Sequence, residues 1–76
     1  MRRIDLVKEE VNKFIYENAF NIDLYDLQVR LNSIFTFKTS VNLLNKEFNF
    51  IQFEVLVENA DKTVTSITCE VRSKII

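Results

Sequence analysis

The chain has 76 residues, with no Gly, Pro, His or Trp and a single Cys. Ten basic residues against eleven acidic ones give a formal net charge of −1, and apolar residues make up 47%. That inventory excludes glycine-rich phosphate loops, imidazole catalysis and disulfide or zinc staples, while leaving enough apolar side chain for one small core.

Residues 4–20 follow a helical period. Ile4, Val7, Val11, Phe14, Ile15 and Ala19 fall on one arc at about 100° per residue. Lys8, Glu9, Glu10, Asn12, Lys13 and Glu17 lie outside it or at its edge, and Glu9–Lys13 is an i,i+4 pair in the favourable order. Leu6 and Phe20 point away from the stripe. Asn18, Asn21 and Asp23 then break the period, since short polar side chains favour caps and turns. Asp23 is an N-cap for a second helix, about 23–34, that carries Leu24, Leu27, Leu31 and Ile34. Tyr25 and Val29 occupy its flank.

From Phe35 the period becomes two. Phe35, Phe37, Thr39, Val41 and Leu43 share one face of a strand over about 35–44. A second strand, about 48–58, puts Ile51, Phe53, Val55 and Val57 on one face. A third, about 63–73, does the same with Ile67, Cys69 and Val71. Asn59–Lys62 reads as the turn between them. Pairing the first two strands so that residue numbers sum to 92 sets Phe37 opposite Val55 and leaves a loop at Asn45–Glu47. A sum of 120 for the second hairpin sets Phe53 opposite Ile67 and Glu58 opposite Lys62. Both registers keep the apolar side chains on one face. A competing reading has Ser40 cap a short third helix over 40–48.

The expected architecture is α+β: one domain over 1–76, two layers in the order α-α-β-β-β. The helical hairpin packs on one face of a three-stranded antiparallel meander. In the same registers the opposite face pairs Leu44 with Phe48 and Leu56 with Val64, with Phe50 between them. Five large apolar residues on a face without helix cover point to an interface. Arg72 rims that face. The third strand is an edge without proline and runs on to Ile75 and Ile76, which suits strand addition. The candidate interface is therefore Leu44, Phe48, Phe50, Leu56, Val64, Arg72, Ile75 and Ile76.

Other chemistry is sparse. Cys69 lies on the inward face as a small hydrophobe. Glu54 and Glu70 are the nearest approach to a catalytic or metal-binding carboxylate pair, and Tyr16 and Tyr25 are read as rings laid along the core edge. No catalytic, cofactor or metal site is expected. A near-neutral chain is a poor phosphate binder, although Arg2, Arg3, Lys8 and Lys13 on the first helix define a nucleic-acid alternative. No stretch is apolar enough for a transmembrane span, and a lone thiol suits the cytoplasm. The expected function is a small non-catalytic interaction module, self-associating or docking on a partner protein, of the kind a phage or mobile element uses as an accessory factor. The composition, rich in Asn, Ile, Lys and Phe, matches an AT-biased genome.

Overall fold

Each helix forms where the apolar stripe runs uninterrupted and stops where a short polar residue intervenes. The structure, a computed structural model, describes residues 2–18 and 21–72. Within it α1 spans Arg3–Glu17 and α2 spans Leu24–Ile34. Asn18 ends α1, its side-chain amide donating to the Phe14 carbonyl at 2.9 Å. Asp23 starts α2, its carboxylate accepting from the Tyr25 N–H at 2.9 Å, which satisfies one of the open donors of the first turn. Ile4, Val7, Val11 and Phe14 of α1 and Leu27 and Leu31 of α2 are buried. Ile34 is exposed in the last turn, outside the stripe assigned to it. Ala19 and Phe20 lie outside the described residues.

The two helices are joined by charge as well as by packing. Arg30 of α2 donates to Glu10 at 3.2 Å and to Glu17 at 2.7 Å, both on α1. The hydrogen bond from Arg30 holds the Glu17 carboxyl below the usual range, and the same bond raises Arg30.

Three antiparallel strands follow in the spatial order β1-β2-β3: β1 is Thr39–Glu47, β2 is Phe50–Glu58 and β3 is Val64–Arg72. The α+β order is the expected one, and the helices cover the expected face. Phe53, Val55 and Val57 on β2 are fully buried against Val7, Val11, Leu27 and Leu31.

Both expected registers are displaced, the first by four residues as far as Leu43 and by five beyond it, the second by two. In the first hairpin Thr39 faces Val57 and Val41 faces Val55, a sum of 96 rather than 92. The reason is the connection. A helix ending at Ile34 needs several residues to turn the chain onto the sheet, so Phe35–Lys38 serve as linker and not as strand. Phe35 closes α2, donating its N–H to the Leu31 carbonyl at 2.9 Å, and its ring stacks on Phe37 at 4.9 Å between centroids. Arg3 lies over Phe37 at 4.8 Å and donates to the Glu58 carbonyl at 2.8 Å, tying α1 to the end of β2. The strand gains at its far end what it loses at its start. Residues 40–48 therefore form strand and the beginning of a turn, not a third helix.

The turn itself is Phe48–Asn49, with Glu47 facing Phe50. Neither turn residue has positive φ, so the primed geometry that matches strand twist is not used. A bulge at Leu44 shifts the register between Leu43 and Asn45, and such bulges add twist locally. In the second hairpin Glu58 faces Val64 and Phe53 faces Cys69, a sum of 122 rather than 120. Its loop places Lys62 at φ 73°, with Lys62 donating to the Asn59 carbonyl at 3.0 Å. That is a type I turn with a left-handed residue following, which places two more residues between Glu58 and its partner than expected. Glu58 and Lys62 still approach to 3.9 Å, though not as strand partners.

The molecule is long, 45 × 20 × 20 Å. Helix cover reaches only the first part of β1: Thr39 is buried and Val41 half-buried, whereas Leu43 to Glu47 are exposed. No helix among the described residues is long and apolar enough to cross a membrane.

Candidate functional site

The face of the sheet away from the helices reads as a series of cross-strand rows. Glu47, Phe50 and Arg72 form the first; Asn45, Gln52 and Glu70 the second; Asn42, Glu54 and Thr68 the third; Ser40, Leu56 and Ser66 the fourth. The two middle rows are polar and bonded within themselves. Gln52 donates to Glu70 at 3.0 Å, and Asn42 approaches Glu54 at 3.5 Å. Glu54 and Glu70 are thus each held by an amide from a neighbouring strand, not by Lys38 or Arg72. Arg72 lies over the Phe50 ring at 4.5 Å.

The apolar residues expected on this face are therefore not one patch. Phe50 sits under Arg72 at one end, while Leu56 and Val64 share a groove of about 200 Å³ with Lys38 and Ser40 at the other. Leu56 is opposite Ser66 rather than Val64, because the register moved by two. Leu44 is the bulge residue, and Phe48 is in the turn, 92% exposed, so the two do not face each other. Ile75 and Ile76 lie outside the described residues. Leu44 and Phe48, both expected at an interface, are exposed at the hairpin tip; what sequence reasoning missed is Leu43, placed on the inward face but exposed there as well. The only signal for it was two consecutive leucines, which no alternating strand can bury together. Tyr16 and Tyr25 are 89% and 75% exposed, in solvent rather than along the core edge.

The sheet's two edges differ more than its faces do. In the first hairpin Glu58 donates to the Lys38 carbonyl at 3.0 Å. Bonded pairs in an antiparallel ladder recur at every second residue, so Thr39 and Val41 turn their backbone groups outward. Gln28 of α2 takes one group from each. Its amide oxygen accepts from the Val41 N–H at 2.8 Å, and its nitrogen donates to the Thr39 carbonyl at 3.2 Å. One residue of a parallel strand would make the same two bonds. The side chain of Gln28 plugs the start of the β1 edge, at Thr39–Val41, with an imitation peptide group.

At the other edge no such plug is present among the described residues. Asn59 donates to the Thr63 carbonyl at 2.8 Å, so the odd-numbered residues of β3 bond to β2. Val64, Ser66, Thr68, Glu70 and Arg72 direct their N–H and C=O groups outward. Among the described residues no hydrogen bond reaches those groups. A groove of about 280 Å³ runs beside this edge, between α1 and β3. Val11, Ile15, Ile67 and Cys69 form its floor, with Lys8 and Glu70 at the rim. Burial pushes the Cys69 thiol up from its ordinary value, with Lys8 opposing in part, which suits a packed hydrophobe better than a nucleophile.

Most of the basic residues grouped on α1 are engaged within the chain. Arg2 pairs with Asp5 at 3.1 Å, Arg3 holds Glu58 and Phe37, and Lys13 lies 3.6 Å from Glu10. Among the described residues, no three His, Cys, Asp or Glu side chains converge as metal ligands would.

Fold and edge together define a two-layer α+β domain with the start of one sheet edge plugged and, among the described residues, the other edge open. No family model, curated protein or solved structure matches the chain.

Proposed function

We propose that this chain is a non-catalytic protein-interaction module whose docking element is the open edge of β3, assisted by the Leu56–Val64 corner of the outer sheet face. The supporting observation is the difference between the two edges. The chain commits a helix side chain to block the start of β1 and, among the described residues, leaves the outward groups of Val64 to Arg72 unpaired beside an apolar groove. Unpaired edges are an aggregation hazard that proteins ordinarily blunt. One retained next to a groove is suited to receive a strand, whose alternate side chains enter the groove while its backbone completes the ladder. The charge pairing on α1 and the amide-held carboxylates favour neither nucleic-acid binding nor catalysis.

The test is substitution at the edge. Thr68→Pro removes an N–H that points away from β2, so the ladder within the chain keeps its bonds while an added strand loses one. Proteins captured from the native host by the wild-type chain are expected to be absent from a Thr68→Pro column and retained on Phe48→Ser. Equal capture by the wild type and Thr68→Pro would remove β3 as the docking element.

A further inference from the structure

Resting on that reading of the β3 edge, we infer that the strand received is β3 of a second copy, paired antiparallel about a two-fold axis at Thr68. A two-fold contact must be self-complementary, each residue meeting the partner of its own partner. The residues that turn their backbone outward are the even-numbered ones, so even must face even. With the axis at Thr68 every residue of Val64–Arg72 is paired, giving about ten backbone hydrogen bonds.

The side chains agree with that register. On the outer face Ser66 meets Glu70 of the second copy as hydroxyl to carboxylate, and Thr68 meets Thr68, a favourable cross-strand pair. The aliphatic stem of Arg72 lies over the exposed Val64 of the second copy, as long cationic side chains do over apolar surface. On the inner face Ile67 meets Cys69 of the second copy, at the mouth of the groove that Val11 and Ile15 line. Apolar side chains are thus delivered to apolar grooves on both copies. Other registers lose these matches. An axis at Glu70 would oppose two carboxylates directly. An axis at Cys69 would leave Val64 beyond the paired strand. The result joins two three-stranded sheets into one and leaves the edge plugged by Gln28 at each outer margin.

The experiment is light scattering across micromolar to millimolar concentration, with two variants at the axis. The wild-type chain is expected to reach twice the mass of one copy. Thr68→Lys, which sets two ammonium groups face to face at an exposed position, is expected to raise the dissociation constant at least tenfold with unchanged far-UV circular dichroism. Glu54→Lys, on the central strand, is expected to leave it within twofold. In the second variant Thr68→Cys is combined with Cys69→Ser. Mild oxidation is expected to link its copies, since facing bonded residues lie about 5.5 Å apart, within disulfide reach. A monomer at every concentration overturns the second copy as partner, while loss of host-protein capture by Thr68→Pro would still uphold the edge. A dimer that tolerates Thr68→Lys and does not cross-link at position 68 overturns both.

Discussion

Phe53→Ala is expected to lower the unfolding free energy by about 3–5 kcal/mol, the usual range for emptying a buried aromatic site. Phe53 is the largest fully buried side chain, at 0% exposure in the middle of the central strand. It packs within the cluster formed by Val7, Val11, Leu27 and Leu31. Domains hold roughly 0.05–0.15 kcal/mol per residue, which for a chain of this length is about 4–11 kcal/mol, so that loss is a large share of the whole. The variant should unfold at a much lower urea concentration than wild type, followed by circular dichroism. Leu56→Ala, three residues along the same strand and on the outer face, is expected to cost about 1 kcal/mol or less, because Leu56 lies between two serines with no helix above it. The reverse order of effects would place the core on the wrong side of the sheet.

Gln28→Leu is expected to destabilise by about 1–3 kcal/mol and to make the chain associate through β1. The change keeps the size of the side chain but strips the Val41 N–H and the Thr39 carbonyl of their partners in a part-buried setting. Unsatisfied buried groups cost about that much, more than the net gain of the bonds themselves. Gln28→Glu separates the two bonds. A carboxylate can still accept from Val41 but has no donor for Thr39, so its stability should fall between wild type and Gln28→Leu. Urea midpoints measure the first effect, and light scattering against concentration measures the second. A Gln28→Leu chain as stable and as dispersed as wild type would mean that the β1 edge needs no plug.

Much of this architecture is readable in the residues, and the unreadable part has definite causes. The helices follow from spacing alone, with Asp23 marking the second start. Which strand residues face the helices was also legible, although both registers were displaced. Sums of 92 and 120 became 96 as far as Leu43, 97 beyond the bulge, and 122; the even displacements leave each side chain on its own face, while the odd one exchanges the faces of Asn45–Glu47. Turn positions were harder because the chain has no glycine or proline to mark them. A lysine fills the one left-handed position among the described residues, at Lys62. The bulge at Leu44 has no local signature beyond adjacent leucines. It changes which residues stand opposite Ile51 and Gln52.

The candidate site was legible only in outline. Composition pointed to contact rather than chemistry, and the last strand was recognised as an open edge. The apolar outer face was over-read, because its apparent continuity depended on pairing Leu44 with Phe48 and Leu56 with Val64. Once the registers move, the polar rows of Gln52–Glu70 and Asn42–Glu54 divide it. The Gln28 plug was invisible to any periodic reading. It joins a helix side chain to backbone 11 to 13 residues away, through bonds that depend on tertiary approach alone.

Hydrogen exchange along β3 reports on the open edge most directly, because neighbouring amides on one strand face opposite directions. Thr65, Ile67, Cys69 and Val71 direct their N–H groups to β2 and should exchange slowly under all conditions. Ser66, Thr68 and Glu70 should exchange quickly in dilute solution and become protected when the protein is concentrated or a partner is added. If those three amides stay fast in every condition, while protection appears instead at Leu43, Leu44 and Phe48, then β3 is a solvated margin and the binding surface lies at the hairpin tip.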